Sequence, residues 1–354
     1  MTMLDDFYKD KKVLITGHTG FKGSYLCRIL QILGADVYGY ALDPPTDPSL
    51  FDLLELGKSV TSEIGDIRDY DHLESFYSSI KPDFVIHMAA QPLVRKGYKE
   101  PRLTFDTNVM GTVNILECAR KNGAKSFLNV TTDKVYLNDN SGRLYLETDY
   151  LNGFDPYSNS KSCSDIITGS YINSFDMGFP ISTARAGNVI GGGDFTTDRI
   201  IPDCVRAVTG DNIIALRNPD SIRPYQHVFE SLYAYLTILK EQSIDSSVAG
   251  SYNICPDERD IATTISLVKM FGLYWGKDLD IKITDDGGMK EAPVLKLSNM
   301  KLKTDLSLSP MWGIEEAVLK TVEWTKVWAN KGDIKGITDC QIREYLSQRG
   351  EKSV

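Results

Sequence analysis

Lys12-Val13-Leu14-Ile15-Thr16 is a short apolar run, and the chain passes directly from it into Gly17-His18-Thr19-Gly20-Phe21-Lys22-Gly23. This junction restricts the fold more than any other stretch. A run of that length bounded by glycine reads as a buried strand. Leu26, Ile29 and Leu30 then fall on one side of a helix over residues 22–33. At such a strand–turn–helix, Gly17 permits the tight turn, Gly20 lets backbone approach a pyrophosphate, and Gly23 lets helix and strand pack closely. The pyrophosphate would rest on the free N–H groups of the helix N-terminus.

The pattern repeats. Asp36-Val37-Tyr38-Gly39-Tyr40-Ala41, Asp83-Phe84-Val85-Ile86-His87-Met88, Phe127-Leu128-Asn129-Val130 and Ile181-Ser182-Thr183-Ala184-Arg185 read as strands, and a third strand ends at Gly65. Helical patterns lie near 105–121 and around Tyr157 and Lys161. Alternation of this kind gives an α/β fold, a Rossmann-like doubly wound parallel sheet with helices on both faces. Gly191-Gly192-Gly193-Asp194 breaks the pattern, and a smaller mixed α/β substrate-binding lobe is expected beyond it. The expected division is residues 1–187 for the dinucleotide domain and 188–354 mainly for the smaller lobe. Pieces near 228–256 return to the first domain: a helix near 230–241 and the strand Ser251-Tyr252-Asn253-Ile254. The final helix is expected near 314–330.

The net charge of −9 argues against a nucleic-acid partner, which would require a basic face. Cys27, Cys118, Cys163, Cys204, Cys255 and Cys340 are scattered, without a Cys-x-x-Cys. That spacing predicts no metal site and no disulfide framework, and free thiols suit the cytoplasm. No apolar run approaches membrane-spanning length, so no membrane association is expected. Met1-Thr2-Met3-Leu4-Asp5-Asp6 is acidic and polar, unlike a signal peptide.

Two short stretches carry candidate chemistry. Thr131-Thr132-Asp133-Lys134 sets an acid beside a potential base where an apolar run ends. Tyr157 and Lys161 are four apart, about one helical turn, and so share a face. An ammonium there can lower the phenol from its ordinary pKa of about 10 and let it accept a proton from a sugar hydroxyl. For the cofactor, the expected ribose acid is absent at Ala41, and Asp43 stands two residues on. No Arg lies nearby to receive a 2′-phosphate, which favours NAD over NADP. Asp66 is placed to accept from the adenine amino group, with Ile67 packing on the ring, while Ala89 and Ala90 leave room for the cofactor.

These stretches, with His87-Met88-Ala89-Ala90-Gln91-Pro92-Leu93-Val94-Arg95 and Thr107-Asn108-Val109-Met110-Gly111-Thr112, resemble the extended short-chain dehydrogenase/reductases. More narrowly, the chain is similar to the branch that dehydrates CDP-glucose at C4 and C6. The narrower likeness rests on Asp155-Pro156-Tyr157-Ser158, the stretch from Arg185 to Asp194, Arg217-Asn218-Pro219, Ile222-Arg223-Pro224 and Gln226-His227-Val228. It spans roughly residues 12 to 330. It implies a tightly held NAD, a nucleotide-sugar substrate and a homodimer or homotetramer. It also implies Thr19 and Phe21 in the cofactor loop, and Gln91 and Arg95 near the substrate. Arg199 and Arg223 are candidates for the diphosphate, and Asn188 for orienting it. His18, His87 and His227 are assigned no chemistry. Departures occur at Thr132 and Val135, where the family commonly has Ser and Cys, at Tyr225 for Trp, and at Ser162 for Gly.

The implied reaction removes water within one sugar. Tyr157 takes the C4 hydroxyl proton as C4 is oxidised, with Thr132 bonding that oxygen and Lys161 holding the phenolate and the nicotinamide ribose. Lys134 removes the C5 proton, given a setting that depresses its pKa. Asp133, if protonated, donates to the departing C6 hydroxyl. Two other readings stand beside this one. A 4-epimerase, or a dehydratase of another nucleotide sugar, would share Thr132, Tyr157 and Lys161, but an epimerase would not need Asp133 and Lys134. A non-catalytic NAD-binding sensor would need none of them.

Overall fold

The computed structural model describes residues 4–284 and 294–350; Met1, Thr2 and Met3 of the polar N-terminus lie outside them. Among the described residues, seven strands form one parallel sheet. They are β1 (Lys12–Thr16), β2 (Asp36–Ala41), β3 (Thr61–Ile64), β4 (Phe84–His87), β5 (Ser126–Val130), β6 (Ile181–Ala186) and β7 (Ser251–Ile254). Their order is β3-β2-β1-β4-β5-β6-β7. Every residue of β4, β5 and β6 is buried, as a parallel sheet covered on both faces requires.

The chain runs outward from β1 in one direction through β2 and β3, then in the other from β4 onward. The crevice of such a sheet lies beyond the carboxyl ends of the strands where the order reverses. Here those ends are Thr16 of β1 and His87 of β4, which are register partners. The Gly17 loop and Met88–Ala90 therefore abut: a Cβ on Gly17 would stand 2.9 Å from Ala89 N. Thr16 Oγ1 accepts hydrogen bonds from Met88 N and Ala89 N, joining the two loops.

α1 (Phe21–Ile32) follows β1 and buries Leu26, Ile29 and Leu30. α2 (Tyr70–Ile80) is capped by Asp69, which accepts from His72 N. The helix expected near 105–121 is built from Pro101–Phe105, a π turn over Asp106–Met110, and α3 (Gly111–Asn122). The wider turn carries Asn108, whose amide bonds the backbone of Gln91 in both directions and donates to Ser160 Oγ. α4 (Pro156–Ser174) begins with Asp155 accepting from Ser158 N and with Pro156 at its first position. That cap fixes where the helix starts, and so where Tyr157 and Lys161 face.

Beyond β6 the chain is more helical than its sequence suggests. α5 (Ile200–Thr209), α7 (Thr264–Trp275) and α8 (Ile314–Ala329) share a separate core that includes Cys204, Val208, Leu267, Phe271 and Val318. α6 (Val228–Ile244) covers β5 and β6. The expectation that the last helix ends near 330 is corrected by α9 (Ile334–Gln348). Its Ile342, Tyr345 and Leu346 join the sheet domain's core with Ile29 and Phe229, and Asp339 accepts two bonds from Arg28 of α1. Among the described residues no helix is long and apolar enough to cross a membrane.

Candidate active site

Tyr157 and Lys161 occupy the first two turns of α4, and the turn Asp133–Val135 leaves the end of β5 against that helix. Lys161 is buried, and its Nζ donates to Val130 O at 2.7 Å. Burial lowers its pKa to about 8, opposed by the Asp165 carboxylate one turn further on. The Tyr157 phenol is pushed up to about 12, first by burial; the Thr132 hydroxyl and Arg199 pull it back, while Asp133 and Asp155 add to the rise. The expected lowering by Lys161 is therefore not realised here. The ammonium is turned to the Val130 carbonyl and is itself disfavoured by burial.

Asp133 is buried, and burial raises its pKa against the opposing charges of Lys134 and Arg223. Its Oδ1 accepts from Thr132 Oγ1 at 2.9 Å. Its Oδ2 is buried without a hydrogen-bond partner among the described residues. A carboxyl so placed is shifted toward its protonated form and, when protonated, can donate to a group that enters the crevice.

The glycine loop has the shape a dinucleotide pyrophosphate requires. Gly17 has φ +79°, and a Cβ on Gly23 would lie 2.2 Å from Gly17 O. A Cβ on Gly20 would meet only Gly17 O, at 3.5 Å, so the space above it is open. Gly20 is also the α1 N-cap and offers no side chain to the helix's first N–H groups, leaving them for a ligand. Thr19 Oγ1 donates to Leu42 O, fixing the loop beside the end of β2, and Phe21 stacks edge-on against Tyr25. Asp43 is exposed just beyond β2, and Ala89 and Ala90 are half-buried. Asp66 has both oxygens bonded by Arg68, although each keeps a lone pair for a further donor. Ile67 is buried and packs toward Gly111.

The residues expected near the substrate are not all in one place. Gln91 is buried and spends its amide within its own loop and helix, donating to Leu93 O and Thr104 Oγ1 and accepting from Leu93 N. Arg95 and Arg217 both approach Asp198 Oδ1, at 3.8 and 3.0 Å, and Arg199 pairs with Asp194 at 3.1 Å. Arg223 is buried with its charge acting on Asp133, whereas Arg199 acts on Tyr157. Asn188 is half-buried and accepts from Gln226 N through its backbone. Sequence reasoning gave Lys22 no role. Its Nζ donates to Tyr235 OH at 2.6 Å, and burial, with the charges of Arg199 and Lys161, lowers its pKa to about 7. The partner is 213 residues away, so only the position of Lys22 within the glycine loop could have drawn notice.

A doubly wound parallel sheet with a glycine loop at its switch point and Thr, Tyr and Lys beside it defines a nucleotide-dependent oxidoreductase-like fold. The chain belongs to the NAD-dependent epimerase/dehydratase family, whose model matches residues 13–255. It is 40% identical to CDP-glucose 4,6-dehydratase of Salmonella typhimurium, over 98% of this chain and 99% of that protein. It is 25% identical to dTDP-glucose 4,6-dehydratase of Xanthomonas campestris, over 93% of this chain and 97% of that protein. Among solved structures, UDP-glucose 4-epimerase of Thermus thermophilus with NAD superimposes with a TM-score of 0.77 at 24% identity, covering 89% of this chain and 98% of that one. dTDP-glucose 4,6-dehydratase of Bacillus anthracis with NAD gives 0.75 at 22% identity, covering 89% and 96%. The two structural likenesses speak for the fold.

Proposed function

We propose that this protein is an NAD-dependent hydro-lyase that converts CDP-D-glucose to CDP-4-keto-6-deoxy-D-glucose and water, a step in deoxysugar synthesis for cell-surface polysaccharide. The observation that carries the reading is Asp133: a buried carboxyl, driven toward its neutral form, with one oxygen bonded by Thr132 and the other unsatisfied. The 40% identity over nearly the whole chain supports CDP-glucose as the substrate.

NAD would be held by Gly17, Thr19, Gly20, Phe21 and Gly23, with Asp43, Asp66, Ile67, Ala89 and Ala90 along the adenosine and nicotinamide. When bound it supplies the acceptor for the C4 hydrogen and returns that hydrogen to C6. Tyr157 takes the C4 hydroxyl proton, with Thr132 bonding the same oxygen and Lys161 holding the phenolate. The 4-ketone acidifies C5, and Lys134 removes its proton. Asp133 protonates the C6 hydroxyl, which leaves as water. A proton then returns to C5, so the sugar loses one water and the cofactor ends as it began. Arg199 would meet the diphosphate, joined by Arg95 and Arg217 from their shared partner Asp198 and with Asn188 orienting it, while Arg223, whose charge acts on Asp133, serves the acid instead. Gln91 shapes its loop.

We assign residues 1–187, with the pieces near 228–256 and α9, to the cofactor domain, and the remainder mainly to the sugar-nucleotide lobe. We also propose a cytoplasmic homodimer or homotetramer.

Incubation of the purified protein with NAD and CDP-, UDP-, dTDP- or GDP-glucose tests the proposal. CDP-glucose should lose one water by mass and develop the alkali-induced absorbance of a 4-keto sugar. Formation of the C4 epimer without water loss would establish the epimerase reading instead. Binding of NAD with no change in any sugar would leave the sensor.

A further inference from the structure

We infer that the buried Asp165–Arg185 ion pair is a positioning device that fixes Thr132, Asp133 and Lys134 against the helix carrying Tyr157 and Lys161. The inference rests on the reading of those five residues as the reacting groups. Asp165 continues the face of α4 that bears Tyr157 and Lys161, since the three are spaced by four residues. Arg185 is on β6. Both side chains are 4% exposed, and the pair is bidentate: Nε to Oδ2 at 2.9 Å and Nη2 to Oδ1 at 2.8 Å.

The same pair grips both ends of the segment that leaves β5. At the near end, Thr131 Oγ1 donates to Asp165 Oδ2 at 3.1 Å. At the far end, Arg185 Nη1 donates to Tyr136 OH at 2.9 Å, and the guanidinium lies 5.2 Å from the Tyr136 ring centroid. Tyr136 OH in turn donates to Asn253 Oδ1 of β7. Arg185 Nη1 also donates to Glu147 O, and Nη2 to Ser251 Oγ. Thr132, Asp133 and Lys134 are the residues between the two anchored ends. Among them, Thr132 bonds Asp133 Oδ1 and accepts from Lys134 N, and its hydroxyl also acts on the Tyr157 phenol of α4.

A buried pair of this kind is poor evidence of added stability, because desolvation of both ions offsets their attraction. Its value lies in geometry, since the planar guanidinium bonds a carboxylate in one orientation. Two elements are thus held in register: α4, which carries Tyr157 and Lys161 for oxidation at C4, and the 131–136 segment, which carries Asp133 and Lys134 for water loss and brings Thr132 to the C4 oxygen. Asp165 has a second effect, since its charge opposes the burial that disfavours the Lys161 ammonium. The helix has its own cap at Asp155, whereas the segment is held by the pair at both ends and by Ser162 Oγ of α4, which donates to Val135 O at 2.7 Å. Loosening the pair should therefore harm water loss more than oxidation.

Removing one member of a buried pair can prevent folding, so the decisive variants are Tyr136→Phe and Thr131→Val, which keep the pair and cut one anchor each. In single-turnover mixing with NAD and CDP-glucose, Tyr136→Phe should slow water loss by about tenfold. Formation of reduced cofactor should change by less than about threefold, so the reduced form accumulates relative to the parent. Arg185→Lys, where it folds, should do the same more strongly. Amide hydrogen exchange, which needs no substrate, should quicken across 131–136 in both anchor variants and stay unchanged over the first turns of α4. Exchange unchanged over 131–136 would overturn the inference whatever the protein's reaction, as would equal slowing of both halves. A parent that exchanges as expected yet makes no 4-keto sugar would refute the function and leave the anchoring standing.

Discussion

Gly20 and Gly23 of the first loop separate on substitution, because the structure surrounds each differently. A methyl at Gly23 would lie 2.2 Å from Gly17 O, 2.6 Å from His18 Cα and 2.8 Å from His18 C, where real Cβ atoms keep beyond 3.0 Å. All three neighbours are backbone, so no side chain can swing aside. The β1–α1 turn would have to move by about 1 Å, and overpacking of that kind costs about 1–3 kcal/mol. The same movement displaces the helix N-terminus from its ligand. Gly20 differs: φ is −77° and ψ 171°, conformations open to alanine, and the added methyl meets one atom at ordinary contact distance. Gly20→Ala should fold to within about 1 kcal/mol of the parent, a small N-cap penalty. Its methyl would nevertheless fill the space a pyrophosphate needs, and losing about two charge-assisted hydrogen bonds at about 1.5 kcal/mol each predicts a Kd for NAD about 100-fold weaker. Denaturant melts of the cofactor-free proteins and calorimetric titration with NAD read the two quantities separately. Gly23→Ala should fail in both and Gly20→Ala in binding alone. If Gly20→Ala bound NAD within about threefold of the parent, the loop would not be the pyrophosphate site.

Tyr157→Phe keeps the ring and loses the proton acceptor, so turnover should fall by about 10³-fold while equilibrium binding of CDP-glucose changes little; activity within about tenfold of the parent would remove Tyr157 as the base. Asp133→Asn should alter the pH dependence of stability. Burial raises the Asp133 pKa above its ordinary value of 3.8, so the folded state holds the proton more tightly than the unfolded chain. The parent is thus penalised as pH rises from that value through the raised one, and Asp133→Asn should gain on it across this window while matching it in acid. A stability difference independent of pH would contradict the assignment. Asp198→Asn removes the carboxylate to which Arg95 and Arg217 now turn. CDP should bind that variant several-fold more tightly at low salt, by calorimetry, and weaker binding would mean that Asp198 holds the arginines in place for the ligand.

What the sequence makes legible here is local. β1, β2 and β7 occupy the stretches the sequence predicts, β1 because its buried Val13, Leu14 and Ile15 stand as one continuous apolar run. α9 escaped notice for a physical reason. Its buried side includes Thr338, which accepts from Trp324 Nε1, and Gln341, which donates to Lys320 O, so the apolar period that marks a helix is diluted. α7 fails in the opposite way: Ile265, Leu267, Val268, Met270 and Phe271 are so densely apolar that periodicity alone does not separate helix from strand. In the site, Tyr157, Lys161, Asp133 and Thr132 were legible because spacing places them on one helix face and at one strand end. The Lys22–Tyr235 bond and the engagement of Gln91 with Thr104 depend on chain segments meeting in space, which spacing does not encode.

One physical cause acts on the acid and on the amine of the site with opposite sign. Burial disfavours charge, so it drives the Asp133 carboxyl toward its protonated form and the Lys161 ammonium toward its neutral one. A 4-epimerase gains nothing from the first effect, since no hydroxyl leaves the sugar and no acid is required. Burying a carboxyl with an unbonded oxygen nevertheless costs about 1–3 kcal/mol, more when it is charged, and a solvated aspartate at the same turn would avoid that cost. The fold sustains it by anchoring Thr131 and Tyr136 on either side of the acid. A substrate hydroxyl entering the crevice would complete the missing bond and accept the proton when it leaves, which is the requirement that separates dehydration from epimerisation.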